Sequence, residues 1–194
     1  MPRTKEFDPD QALDRAMQLF WRKGYEATSV QNLVDQMGIN RFSLYSTFGS
    51  KHDLFLAALD RYRDEVVTDG VSMLEGPEVG ISAIRCYFES AAKMAATSKG
   101  RRSGCLMTNA AVEVAPHDKE AAARIEAHLE RLENAFYRQL RNARKEGELK
   151  AGQSLRDLAR FLTGAAQGLG VMVTAGKERR ALARYVAVVL AALE

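Results

Sequence analysis

Apolar residues recur along this chain at three- and four-residue spacings, and alternating runs closed by hairpin dipeptides are absent. The pattern predicts an all-α protein. Leu13, Ala16, Met17, Phe20 and Trp21 form one stripe behind Asp8 as N-cap, Pro9 at the first helical position and Gln11 at the third. Gly24 ends that helix. Thr28 with Gln31 predicts a capping box for a second, two-turn helix carrying Val30, Leu33, Val34 and Met37, closed by Gly38 in the left-handed conformation. Asn40 caps a third short helix with Leu44 and Phe48 on one face, stopped by Gly49. Ser50 with Asp53 caps a fourth that reaches about Gly70 or Gly76.

Helices of two turns are marginal alone, so the second and third must be braced by the apolar stripes of the first and fourth. Two such helices joined by a Gly-containing turn match a helix-turn-helix, whose second element enters the major groove of DNA. An ordinary corner of a helical bundle shares this spacing. Longer helical patterns follow over 77 to 98, 103 to 115, 118 to 146, 154 to 175 and 178 to 193, broken at Gly100, Pro116, Gly147 to Gly152 and Gly176. Ile125, Leu129, Leu132, Phe136 and Leu140 give the third of these a core-facing stripe. The expected organisation is a three-helix head over residues 1–52 and a larger helical bundle over residues 53–194.

Composition narrows the picture modestly. At 194 residues, 46% hydrophobic and 27% charged, the chain has an ordinary globular make-up. The net charge of +3 is spread as −1 over residues 1–65 and +4 over the rest, so bulk charge gives no case for nucleic acid. Any such case must come from residues gathered on one face. Arg3 and Lys5 read either as an arm toward DNA or as a basic tail. The uncharged run from Phe161 to Gly176 is too short and too glycine-rich for a membrane span. The N-terminus has no apolar secretion signal, and two cysteines, Cys86 and Cys105, fit a reduced cytoplasmic protein.

Enzyme chemistry finds no foothold. The histidines His52, His117 and His128 form no metal pattern or helical pair, and no strand precedes a glycine-rich phosphate loop. Neither catalytic residues nor metal ligands nor a cofactor are expected. What gathers instead is a set of hydroxyl, amide and basic groups around the third helix: Asn40, Arg41, Ser43, Ser46, Thr47 and Lys51, with Thr28 and Ser29 at the start of the second.

The run Gly38-Ile39-Asn40-Arg41-Phe42-Ser43-Leu44-Tyr45-Ser46-Thr47-Phe48-Gly49-Ser50-Lys51, with Thr28-Ser29-Val30 before it and Asp53-Leu54-Phe55 after it, strongly resembles the TetR family of bacterial transcriptional regulators. The stretch from Gly104 to Asp118 and Gly147-Glu148-Leu149 resemble the family's C-terminal ligand-binding domain. The resemblance implies a homodimer that binds a near-palindromic double-stranded operator and leaves it when a small hydrophobic effector occupies the C-terminal bundle. It places Arg41, Phe42, Ser43, Ser46 and Thr47 toward the groove and Tyr45 and Lys51 toward phosphates. Arg41 has the geometry for a bidentate contact to guanine, and Thr28 and Ser29 offer hydroxyls and amides to a phosphate at a helix N-terminus. Phe42 leaves two readings open, a contact to a thymine methyl or a place in the core.

For the sensor half, the candidate ligand contacts are Tyr87, Phe88, Met94, Met107, Asn109, Val112, Glu113, Phe136, Tyr137, Phe161 and Gln167, each of which also reads as core. Trp21 reads as core. Cys105, behind Arg101 and Arg102 at a helix start, is either a reactive thiol of the kind some members use against oxidants or electrophiles, or a small buried hydrophobe. The last two helices are expected to form a four-helix dimer seam. Its candidates are Leu155, Leu158, Leu162, Gly164, Ala165, Gly168, Leu169 and Met172 on one helix, with Tyr185, Val186 and Val189 on the other.

Overall fold

Side-chain caps begin the helices. Asp8 Oδ1 accepts the Asp10 amide at 2.9 Å and opens α1, Pro9–Lys23. Asn40 accepts the Ser43 amide at 2.8 Å and opens α3, Arg41–Phe48. Ser50 and Asp53 exchange side-chain and backbone hydrogen bonds to open α4, Lys51–Tyr62. The computed structural model describes residues 7–95, 103–150 and 152–193, which contain ten α-helices and no strand. Arg3, Lys5, Gly100, Arg101 and Arg102 lie outside the described residues.

One cap differs from the sequence reading. The box that opens α2, Val30–Met37, is Ser29 with Asn32, not Thr28 with Gln31. Thr28 is fully buried, because its hydroxyl donates at 2.6 Å to the Gly24 carbonyl and closes the turn between α1 and α2. Gly38 then takes φ +71, the left-handed conformation that a helix end requires and that glycine adopts without strain. Arg15 reaches across from α1 and donates to the Met37 carbonyl at 3.1 Å, which ties that turn to the head.

Beyond Tyr62 the α4 chain does not stop. It widens into a π-helical turn, Arg63–Val67, and continues as α5, Thr68–Met73. The following helices are α6 (Ile81–Ala95), α7 (Leu106–Glu113), α8 (Lys119–Lys145), α9 (Leu155–Thr174) and α10 (Arg179–Ala191). α6 starts four residues later than the spacing predicts, since Gly80 turns the chain at φ +71 with its amide held by Gln139 Oε1 at 2.9 Å.

The head is packed by Ala16, Phe20, Leu33, Leu44, Leu54 and Phe55, with the Phe20 and Phe55 rings edge to face at 5.2 Å. The bundle is packed by Ile84, Phe88, Leu132, Phe136, Leu140, Leu162 and Leu169, and the two regions form one continuous apolar cluster. The long α4–α5 unit joins them: Arg61 pairs with Asp14 of α1 at 2.8 Å, and Asp60 pairs with Arg124 of α8 at 3.1 Å.

Candidate DNA-binding face and effector cavity

α3 buries only Leu44 and rests on the half-buried Phe48, so the rest of its surface is free to face a partner. Arg41, Tyr45 and Ser46 point outward, and Phe42 is 81% exposed, which answers the open question about that ring: it is not core. Ser43 and Thr47 are half-buried on the flanks. Asn40 is exposed, but its side-chain oxygen is occupied by the Ser43 amide. Arg41 Nη2 donates to Gln31 Oε1 on α2 at 3.2 Å, an exposed contact that preorients the guanidinium beside the face.

Two more predicted residues sit at its edges. Lys51 lies with Nζ 4.2 Å from the centroid of the Tyr25 ring, where the π face holds the ammonium at the start of α4. Burial, with Glu26 and Asp118 adding to it, pushes the Tyr25 phenol up, so it stays a neutral hydrogen-bond donor. Ser29 remains exposed at the α2 N-terminus. Thr28 is corrected: a residue inside the fold offers no hydroxyl to a phosphate.

The head is gripped by the bundle through three polar contacts that the spacing pattern does not reveal. Glu113, near the end of α7, accepts the backbone amides of Tyr25 and Glu26, both at 3.0 Å. Gly24 leaves the room for this, because a Cβ there would stand 2.9 Å from both carboxylate oxygens. Trp21 donates its indole N–H to the carbonyls of Ser103 and Gly104 at 3.1 and 3.0 Å. His52 Nε2 contacts Asp118, the N-cap of α8, whose carboxyl is held below its usual range by the Ala121 amide and by His52.

A partly open cavity of about 400 Å³ lies in the bundle, at the small end of the roughly 300–1,000 Å³ range of ligand pockets. Of the predicted contacts, Tyr87, Met94 and Gln167 lie on its wall, and Cys105 lies there too. The others do not. Phe88 and Phe136 stack behind Tyr87 at 5.7 Å in the core, where Met107 is also buried. Asn109 donates to the Ser103 carbonyl at 2.9 Å, and Tyr137 lies under the Arg156 guanidinium at 4.2 Å. Val112 and Phe161 lie on the outer surface, and Glu113 belongs to the head contact.

Most of the wall was not read from the sequence, including the end of α4 and the π turn with Tyr62, Val66 and Val67, and two of these residues stand out. Trp21 comes from the DNA-binding head itself and packs edge-on to Tyr62 at 5.0 Å, so it is not mere core. His128 is 5% exposed on the apolar face of α8, and burial, aided by Arg131, pushes its imidazole down from 6.5 to about 4. A base held neutral in the fold and free to charge in the unfolded chain stabilises the protein fully above its unfolded value. That contribution is lost as pH falls from 6.5 to 4. We therefore expect thermal unfolding to register a loss of about 3 kcal/mol over that interval that His128→Leu abolishes.

The seam helices need a correction as well. Leu162, Ala165, Leu169, Val186 and Val189 are buried inside the protomer, and Leu155, Leu158, Met172 and Tyr185 pack against its own core. Gly168 makes room for Tyr185, whose hydroxyl donates to the Ala165 carbonyl at 2.9 Å and would stand 2.7 Å from a Cβ at 168. The apolar stripe left open consists of Phe161, Gly164 and Val171 on α9 with Val188, 71% exposed, on α10. The charged side chains of α9 cluster in its first half, at Arg156, Asp157 and Arg160, and its bulkier apolar stripe faces inward.

A braced helix-turn-helix with an open recognition helix, joined to a hollow helical bundle, defines a DNA-binding transcriptional regulator. The chain belongs to the TetR family. Residues 12–58 match the family model described as bacterial regulatory proteins, tetR family, and residues 80–189 match the tetracyclin repressor-like C-terminal domain. The chain is 40% identical to the HTH-type transcriptional regulator YezE of Bacillus subtilis over 84% of each protein. It is 35% identical to the HTH-type transcriptional repressor ComR of Escherichia coli over 90% of this chain and 83% of that one. Among solved structures, a cysteine-substituted form of the TetR family regulator CifR, complexed with 26 bp double-strand operator DNA, superposes with a TM-score of 0.88. That match has 29% identity and covers 99% of this chain and 100% of CifR. The protein is a regulator and not an enzyme, and among the described residues no helix is long and apolar enough to cross a membrane.

Proposed function

We propose that this protein is a cytoplasmic repressor, working as a homodimer that grips a near-palindromic operator and releases it when a small, mainly apolar effector fills the bundle cavity. The observation that carries the reading is the α3 surface, where Arg41, Phe42, Tyr45 and Ser46 stand clear of the fold around a single buried leucine. Residues 1–52 read the DNA and residues 53–194 sense and dimerise, with the division falling at the start of α4. CifR, solved in complex with operator DNA, and ComR, a repressor by name, support the same assignment.

Release follows from who shares the cavity wall. Tyr62, Val66 and Val67 bring the π turn to it, Trp21 brings α1, and Gly104 with Cys105 brings the start of α7. An occupant that shifts α7 acts at the other end on Glu113, and so on the Tyr25 and Glu26 amides of the head. Glu113→Ala leaves those amides without their acceptor, a loss of about 1–3 kcal/mol. Thermal unfolding is expected to drop accordingly, with Glu113→Gln recovering part of it, and the variant's operator affinity should depend less on effector.

A second reading makes the Cys105 thiol the sensing atom, favoured by its place on the cavity wall beside the Tyr62 hydroxyl. Iodoacetamide labelling faster than that of free cysteine at neutral pH supports it, and labelling no faster ends it. The main reading is tested by selecting bound duplexes from a randomised DNA pool. A two-fold consensus supports it, and a pool that stays random after repeated rounds refutes it.

A further inference from the structure

Asn32 closes the capping box of α2 with Ser29, so the neighbouring Gln31 amide takes no part in the cap and extends between two other side chains. Its Nε2 donates to Asp35 Oδ1, one helical turn further along α2, at 2.8 Å. Its Oε1 accepts from Arg41 Nη2 of α3 at 3.2 Å. All three residues are exposed, and the remaining N–H donors of the Arg41 guanidinium have no partner among the described residues.

Chemistry fixes the order of these contacts. An ionised carboxylate only accepts and a guanidinium only donates, so the amide between them sits one way round, N–H toward Asp35 and oxygen toward Arg41. Turned over, it would set acceptor against acceptor and donor against donor. Exposed contacts of this kind add little to the stability of a fold. What they restrict is the side chain at the end of the relay, and arginine has many rotamers to lose when it grips a base. Asp35 is otherwise badly placed, since a carboxylate two contacts from a DNA-facing arginine repels phosphates.

From this we infer that Gln31 and Asp35 are positioning residues for base readout: Asp35 orients the Gln31 amide, and Gln31 holds the Arg41 guanidinium in the pose that contacts guanine. The inference rests on Arg41 reading a base, and it adds the two α2 residues that make that reading selective. A guanidinium held at one nitrogen keeps enough donors for a bidentate contact to guanine O6 and N7. Non-specific binding needs no single pose of that group, so the relay acts on discrimination and not on bulk affinity.

The test compares full-length protein on a selected operator and on the same duplex carrying 7-deazaguanine, which lacks the N7 acceptor, at the Arg41-dependent guanine of both half-sites. Fluorescence anisotropy is expected to find native protein at least about tenfold weaker on the modified duplex. In Gln31→Met, which keeps the length of the side chain and removes its amide, that ratio falls below about threefold, while affinity for unrelated DNA stays within about twofold and thermal unfolding is unchanged. Asp35→Asn keeps an acceptor for Gln31 and retains the native ratio, whereas Asp35→Ala lowers it and binds unrelated DNA more tightly. In an Arg41→Ala background, Gln31→Met changes nothing further. A Gln31→Met protein that keeps the full ratio overturns the inference, as does one that weakens operator and unrelated DNA alike or loses as much again without Arg41. If native protein selects a two-fold consensus and Arg41→Ala still prefers guanine over 7-deazaguanine as native protein does, the relay falls and the regulator reading stands. If no consensus is selected, both fall together.

Discussion

Val188→Asp is expected to turn the dimer into monomers and to abolish operator binding while leaving the protomer folded. Val188 is largely exposed on α10 beside the open Phe161, Gly164 and Val171 stripe of α9, so a single protomer tolerates a carboxylate there. In a two-fold seam the substitution occurs twice. Each buried, unpaired carboxylate costs about 3–5 kcal/mol, so the pair weakens association by about 6–10 kcal/mol, or at least four orders of magnitude. Sedimentation should find native dimer and variant monomer at micromolar concentration, with unchanged helical circular dichroism. The contrast is Leu162→Asp, buried within the protomer, which should unfold the chain rather than merely separate it.

The second large effect is expected at Arg41. A bidentate contact to guanine discriminates by about 1–3 kcal/mol, and a symmetric operator engages two such residues. Arg41→Ala should therefore weaken specific binding by about 2–6 kcal/mol, roughly thirty- to twenty-thousand-fold, and leave binding to unrelated DNA almost unchanged. Lys51→Gln gives the opposite pattern. Loss of a phosphate contact weakens all sequences alike and lowers the salt slope by about one. Gel shifts at two salt concentrations on operator and on random DNA distinguish the two patterns, and an Arg41→Ala protein that loses both affinities in parallel would make Arg41 a phosphate contact.

The head was legible in the sequence because its signals are local. Asp8, Asn40 and Ser50 cap the helices that follow them, and Gly38 and Gly49 end the helices before them, all within a few residues of one another. The slip at Thr28 has the same local origin: two adjacent hydroxyls both suit a cap, and the Gly24 carbonyl claims the first. The sensor was less legible because wall and core are set by helices distant in the chain. Tyr87 and Phe88 are neighbours in sequence, yet one lines the cavity and the other packs behind it. α9 shows the same difficulty, since Phe161 and Val171 are as apolar as Leu162 and Leu169, and only the packing of α8 and α10 decides which of them turn inward. His128 did leave a signal, a polar residue on an apolar stripe, although it belongs to no metal pattern.

The central claim is that two copies of α3 are presented to successive major grooves by one two-fold seam. Dimethyl sulfate protection of guanine N7, a major-groove atom, tests it directly on a selected operator. The account predicts two symmetric clusters of protected guanines about one helical turn apart, roughly 34–36 Å centre to centre or a multiple of it, both lost in Arg41→Ala. A single unpaired cluster, or protection confined to the minor groove, would contradict it.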